Sequence, residues 1–281
     1  MRNDVTEADR LRVRLLQTNP VLGDVDGNLA RLDAAVAQSA DRDLVVAPEL
    51  ASHGYHVGEL ADLAGLDPAD SLLARLGGHG PAVVTGFVES SGHLLHNSAA
   101  LVTAGGVRVQ RKLFPVTYHV WEEGKFFSPG DRLWCHEVAG ARLAVLVCND
   151  AWQPPLPWLA AQSGAEVLVV VANSIESDTG VSNHRAWEVL LLHAAMATQS
   201  FVVFVNRAGD ECGRSFWGGS RVVHPSGEVL GRLGPETDQL DCSLDLAELR
   251  ALRTRFPLLR ESRTDLVARE SERLAALERA G

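Results

Sequence analysis

Three residues of reactive type stand at the ends of expected strands. Glu49 closes DLVVAPEL (43–50), Lys112 follows VRVQR (107–111) and Cys148 closes ARLAVLVC (141–148). The thiolate is the reactive form of cysteine, and a free thiol is mostly protonated at neutral pH. A nucleophilic Cys148 therefore needs a base to take its proton and a cation to hold the oxyanion formed on an attacked carbonyl. Glu49 can supply the first and Lys112 the second. Taken singly, each has an ordinary reading: a buried cysteine as core, a strand-end glutamate as a cap or loop residue, a lysine after an arginine as surface. A cysteine–histidine pair is the rival arrangement. Only His136 and His224 lie near strand ends, however, and neither neighbours a second polar signal.

Reactive groups of α/β sheets gather beyond the carboxyl ends of strands, where the loops open onto a crevice. Apolar patterning predicts such strands over 12–19, 43–50, 82–89, 141–149, 166–173 and 201–209. It predicts helices over 25–40, 59–77, 156–165 and 182–199. Residues 96–114 read as a hairpin turning at Gly105-Gly106, and 215–233 as another turning at Pro-Ser-Gly. A charged amphipathic tail, 244–280, closes the series. Strands alternating with helices make an α/β fold, and the hairpins make its sheets mixed. VLVVVA and FVVFV are apolar at every position, so some strands are covered on both faces. No linker or composition break divides the 281 residues, which read as a single domain.

Composition removes several classes of function. A formal net charge of −10 and a pI near 5.5, with no basic block, argue against nucleic-acid or anionic-membrane partners. Cys135, Cys148, Cys212 and Cys242 are widely spaced with no CxxC, and Cys135-His136 is an isolated pair, so no metal site is expected. Reduced thiols suit a cytoplasmic protein. The N-terminal MRNDVTEADRLRV lacks the apolar stretch of a signal peptide, and no apolar run has the length of a membrane span.

The motifs are more specific than the composition. VVAPELASHGY (45–55), RKLFPVTYHVWEEGKFFSPGD (111–131) and VLVCNDAW (145–152) stand in order along the chain. With weaker echoes in QTNPVLGDVDGN (17–28), HNSAALV (96–102) and VNRAGDECGRSFWGGSRVVHPSGEVLG (205–231), the sequence resembles the nitrilase superfamily of carbon–nitrogen hydrolases over almost its whole length. The resemblance implies a four-layer α-β-β-α sandwich over 1–281, with pairs of chains joined into a homodimer or higher oligomer and the 244–281 tail at that contact. It implies Glu49 as general base, Lys112 as oxyanion stabiliser and Cys148 as the nucleophile of a thioester acyl-enzyme. The Asn149 backbone N–H becomes a second oxyanion donor. Glu123, rather than Glu122, becomes an auxiliary glutamate that positions Lys112 or assists proton transfer. No metal or organic cofactor enters this chemistry.

The Cys-x-Asp form favours amides over nitriles, where Trp-Glu follows the cysteine. CNDAW with PPLP is also similar to the glutaminase domains of glutamine-dependent NAD synthetases, so a pocket of that type is among the expectations. Gln153 and Ala197 depart from the family pattern, at positions that often carry His and Glu. Tyr55, Tyr118, Trp152, Asn173 and Ser174 lie past strand ends or in the signature loops and are candidate substrate contacts, each with a packing or turn role as the alternative; Trp217 is a further candidate. The expected activity is hydrolysis of a small-molecule amide. N-carbamoyl amine hydrolysis, acyl transfer and nitrile hydrolysis are the alternatives, and a catalytically idle binding subunit is the reading from another class.

Overall fold

Alternate residues of the long apolar strands point into two different cores, which is how the chain builds layers. Val13, Leu15, Leu44 and Val46 share one cluster with Leu143, Val145, Val147, Val169 and Val203. The intervening Val45 packs instead with Leu29, Leu32, Val36 and Leu73. Ala144, Leu146, Leu168 and Phe204 pack with Leu156, Trp187 and Leu191. The period of two along each strand thus places one sheet against another in the middle and helices outside both. Fully burying each such Val or Leu contributes roughly 1.5–3 kcal/mol.

The computed structural model describes residues 9–118, 122–176 and 182–279. His119-Val120-Trp121 of the second motif, residues 1–8 of the N-terminal stretch and the last two tail residues lie outside them. The elements are β1 (Arg10–Gln17), α1 (Val25–Ala37), β2 (Leu44–Val46), α2 (Ser71–Arg75), β3 (Ala82–Ser91), β4 (Leu94–Thr103) and β5 (Gly106–Arg111). Then follow α3 (Glu123–Phe126), β6 (Cys135–Val138), β7 (Ala141–Val147), α4 (Pro155–Gln162), β8 (Val167–Ala172), α5 (Asn183–Thr198) and β9 (Phe201–Asn206). The chain ends with β10 (Ala208–Glu211), β11 (Arg214–Trp217), β12 (Arg221–Val223), β13 (Val229–Arg232), β14 (Asp238–Asp245), α6 (Leu246–Arg255) and α7 (Thr264–Glu278).

One sheet runs β14-β1-β2-β3-β4-β5 and the other β13-β12-β9-β8-β7-β6. Each has three parallel strands at its centre, β1-β2-β3 and β7-β8-β9, with antiparallel partners outside them. The result is a four-layer α-β-β-α sandwich of mixed sheets. β4 is antiparallel to both β3 and β5, so β5 runs with β3 and ends at the same edge. Glu49 after β2 and Lys112 after β5 thus share one edge of the first sheet. Hydrogen bonds from Asn173 to Glu49 bring the ends of β7 and β8 of the second sheet, with Cys148, to the same place.

Several expected elements take another form. The strand expected over 43–50 is only Leu44–Val46; Pro48 has no N–H to extend the ladder, and the chain turns at Leu50 with φ +46°. The helix expected over 59–77 reduces to Ser71–Arg75, capped by the Asp70 side chain, because Gly65 and Pro68 interrupt the leucine spacing. The single hairpin expected over 215–233 is two: β11 pairs back with β10, and β12 pairs with β13 across Pro225-Ser226-Gly227. Within 244–281, Leu244 and Asp245 finish β14, which pairs with β1 from end to end. Leu246 and Leu249 of α6 join the central core, whereas α7 exposes Leu266, Val267, Leu274 and Leu277.

The β10–β11 hairpin carries a buried ion pair, Arg207 Nη1 to Glu211 Oε2 at 2.7 Å. Burial pushes the Glu211 carboxyl up, but the His56 hydrogen bond and the Arg207 charge outweigh it and hold the pKa down to about 2. A depressed carboxylate stabilises the fold above its ordinary pKa and stops doing so as pH falls through the folded value. Roughly 3 kcal/mol should therefore be lost between about pH 4.5 and about pH 2. Urea unfolding over that range should show the loss in the native protein and a smaller one in Glu211→Gln.

Candidate active site

Glu49 is completely buried, and every acceptor it presents is used. Its Oε1 accepts from Lys112 Nζ at 2.7 Å and Asn97 Nδ2 at 2.7 Å. Its Oε2 accepts from the Asn173 backbone N–H at 2.8 Å, and its carbonyl accepts from Asn173 Nδ2 at 2.8 Å. The turn that carries it lies against Gly86 of β3: a Cβ there would fall 2.5 Å from the Glu49 Cα and closer still to the Leu50 nitrogen. Gly86→Ala should cost about 1–3 kcal/mol of stability and displace Glu49, lowering activity as well. A chemical-unfolding curve paired with a turnover assay checks both effects.

Lys112 follows β5 directly and is fixed by its backbone: its N–H donates to the Asn97 carbonyl, and its carbonyl accepts from Gly130 N–H. Its ammonium also donates to Glu123 Oε1 at 2.8 Å. Glu123 opens α3, and its Oε1 accepts from the Tyr55 hydroxyl at 2.8 Å while its Oε2 accepts from Val116 N–H at 2.8 Å. The adjacent Glu122 faces solvent beside Lys125 instead. One ammonium thus sits between two carboxylates, with side-chain exposures of 1%, 0% and 6% for Lys112, Glu49 and Glu123.

Burial pulls the Lys112 pKa down, but Glu123, Glu49 and Cys148 overcome it and hold the ammonium well above its ordinary range. For Glu49 burial wins, and its pKa is raised despite the Lys112 charge. The competition between burial and cation, open from the residues alone, is decided here for desolvation.

Cys148 begins a 3-10 turn, Cys148–Trp152, and sits in the left-handed region with φ +48°. A non-glycine residue there carries backbone strain, which the surrounding bonds must hold. Burial and the Glu49 carboxylate raise its thiol pKa well above the usual value, against the opposing pull of Lys112 and the Asn173 N–H. The resting thiol is therefore protonated, and proton removal belongs to the attack itself.

Asp150 ties this turn to the Lys112 loop. Its Oδ2 accepts from Val147 N–H at 3.1 Å, while its Oδ1 accepts from Leu113 and Phe114 N–H at 3.0 and 2.9 Å. Burial lifts its pKa to about 6, with Lys112 and the three N–H groups opposing. The turn and the loop meet again where Asn149 Nδ2 donates to the Phe114 carbonyl.

The remaining candidates divide. Tyr55 and Asn173 join the charged cluster, and Asn173 Oδ1 has no hydrogen-bond partner among the described residues. Tyr118 is half exposed, with its hydroxyl 3.4 Å from Asn149 Oδ1. Ser174 accepts on its hydroxyl from both Trp187 and Trp217 indoles, and Trp152 meets Trp187 edge-to-face at 5.6 Å, so these belong to an aromatic layer behind the site. Asn97 and Asp150 were not among the candidates. Asp150 directly follows Asn149 and was visible only as part of Cys-x-Asp; Asn97 lies in the weaker echo HNSAALV, inside a hairpin strand where no strand end singles it out. Among the described residues, no group of three or more His, Cys, Asp or Glu could hold a metal.

This arrangement can pass a thiol proton to a carboxylate and hold negative charge on an attacked carbonyl oxygen. Comparison with known proteins agrees with that chemistry. Residues 12–254 match the carbon-nitrogen hydrolase family. The chain is 34% identical to an (R)-stereoselective amidase of Pseudomonas sp over 93% of its own length and 95% of that protein's. It is 34% identical to a glutamine-dependent NAD(+) synthetase of Thermotoga maritima over 85% of its own length, spanning 43% of that longer protein. Among solved structures, a mutant of the amidase from Nesterenkonia sp. AN1 superimposes with a TM-score of 0.79 at 26% identity, covering 95% of this chain and 99% of that one. That structure shows covalent addition of the acetamide moiety of fluoroacetamide at the active site cysteine.

Proposed function

The chain belongs to the carbon–nitrogen hydrolase family, and from that premise we propose that it hydrolyses the amide bond of a small molecule through a thioester on Cys148. The observation that carries this reading is the buried Glu49–Lys112–Glu123 set beside the half-buried Cys148, whose backbone is held at a strained φ. An amide carbonyl is a poor electrophile, so a covalent route divides the work into acylation and deacylation.

In acylation Glu49 takes the thiol proton as Cys148 Sγ bonds to the carbonyl carbon. The oxyanion is held by the Lys112 ammonium and the Asn149 N–H. Collapse of the tetrahedral intermediate breaks the C–N bond, and Glu49 returns its proton to the departing amine. Water then attacks the thioester with Glu49 again as base, releasing the acid and the thiol. A carboxyl with a raised pKa suits both duties, because it must give the proton back as readily as it takes it. Glu123, anchored by Val116 N–H and Tyr55, positions Lys112 throughout. Asn173 Oδ1, with its free acceptor, is assigned to the substrate amide N–H.

The fold works as one carbon–nitrogen hydrolase domain, and we assign α7 to a contact between two copies. α7 exposes Leu266, Val267, Leu274 and Leu277, and Val267 borders a groove of about 450 Å³ lined by Trp152, Trp158, Leu190 and Ala197. An apolar face of this kind marks an association surface, which sedimentation will read as a homodimer. Four unpaired cysteines support a cytoplasmic setting.

The test is ammonia release from a panel of small primary amides, N-carbamoyl amines and nitriles. Release from amides alone supports the reading. Release only from carbamoyl compounds or nitriles assigns the site to that substrate class, and inertness towards all three favours an idle binding subunit.

A further inference from the structure

Glu211 lies 156 residues from Tyr55, yet its carboxylate holds the loop that carries that tyrosine. Its Oε1 accepts from Tyr55 N–H at 2.9 Å, His56 N–H at 2.8 Å and His56 Nδ1 at 2.8 Å. Three donors on one oxygen is a dense arrangement for a side chain that is 5% exposed. The other oxygen is held by Arg207, whose Nη2 reaches the Asn19 side chain at 2.9 Å and the Pro20 carbonyl at 3.0 Å. Gly54 lets the carboxylate come this close, since a Cβ there would lie 2.5 Å from Glu211 Oε2.

The Tyr55 ring is held from the same hub. Phe216 meets it edge-to-face at 6.3 Å, and the Arg207 guanidinium stacks on Phe216 at 4.3 Å. The far end of the ring is the hydroxyl that donates to Glu123 Oε1, the oxygen that also receives Lys112. A continuous line of contacts therefore runs from the β10–β11 hairpin to the cation of the site.

We propose that Glu211 is a positioning residue, which fixes Tyr55 so that its hydroxyl holds Glu123, and through it Lys112, in register with Cys148. The inference rests on the roles given above to Lys112 and Glu123. With a neutral residue at 211, the two N–H groups and the imidazole lose their anionic acceptor and the 50–56 turn relaxes. The Tyr55 hydroxyl then leaves Glu123 Oε1, and the Lys112 ammonium loses its fixed point. Its influence on the thiol of Cys148 falls accordingly.

A structural role alone would predict a loss that is independent of the Tyr55 hydroxyl, so a double-mutant cycle separates the two. The readout is the rate at which iodoacetamide alkylates Cys148 near pH 7, followed by peptide mass mapping so that the other three cysteines do not interfere. This readout does not require the substrate to be known. Glu211→Gln is expected to slow alkylation roughly tenfold in the native background and less than about twofold in Tyr55→Phe, where the hydroxyl is already gone. Equal factors in the two backgrounds overturn the proposal while leaving the catalytic reading in place. With the resting thiol protonated, alkylation near pH 7 needs Glu49 to take the proton as the sulfur attacks. A native Cys148 that reacts no faster than in Glu49→Gln therefore overturns that reading, and the proposal with it. Should Glu211→Gln fail to fold, Glu211→Asp carries the same comparison, since it keeps a charge for Arg207 but withdraws from the Tyr55 N–H.

Discussion

Cys148→Ala should lower turnover by at least about 10⁴-fold with the fold intact. Without sulfur no thioester forms, and the substrate faces only direct attack by water beside Lys112. The residual rate would come from binding and oxyanion stabilisation alone. Stability should change little. The substitution removes one atom from a partly exposed position and leaves the φ of +48° as strained for alanine as for cysteine. It also removes a thiol whose ionised form the site opposes. Turnover and thermal unfolding measured on one preparation check this, and a large fall in melting temperature would contradict it.

Lys112→Met is expected to damage both activity and stability, and the stability loss should depend on pH. Methionine matches the volume but removes the only ammonium between Glu49 and Glu123. Loss of the oxyanion cation alone should cost about 10²–10³ in kcat. Leaving two buried carboxylates face to face adds a second effect, because like charges this close cannot both ionise. One carboxyl then stays protonated, and Glu49, already raised by burial, is poorly placed to act as base.

Breaking a buried ion pair typically costs about 3–5 kcal/mol when the remaining charge is uncompensated. Carboxyls with raised folded-state pKa values favour the fold at low pH and oppose it as pH rises through those values. The deficit relative to the native protein should therefore be small near pH 5 and largest near pH 8, as read from urea midpoints. A deficit independent of pH would mean that the two glutamates do not share the charge as the geometry requires.

The sequence was most legible where chemistry coincides with an abrupt end of an apolar run. Glu49 and Cys148 each follow a buried strand, whereas Lys112 follows the half-exposed edge strand β5, which runs with β3 because β4 is antiparallel to both. Glu123 required the motif, since its neighbour Glu122 is chemically identical and only the fold turns one inward. The supports were hidden for a physical reason. Asn97, Asp150 and Glu211 act by accepting or donating hydrogen bonds to groups far along the chain, and such pairing leaves no periodic trace. Short and edge strands were missed similarly. β6 and β10 have four residues each, and DQLDCSLD of β14 carries three aspartates because it borders the sheet at its rim. The leucines between 59 and 77 suggested a helix, but spacing alone could not outweigh Gly65 and Pro68.

Everything proposed for this site depends on a covalent bond between substrate and Cys148. The most direct test is the intact mass of the protein, mixed with propionamide or another primary amide from the panel that releases ammonia and then quenched in acid during turnover. A mass gain equal to the acyl group, mapped to the peptide containing Cys148 and absent from Cys148→Ala, is the predicted result. Continued ammonia release by Cys148→Ala, with no acylated species in the native protein, would contradict the thioester mechanism.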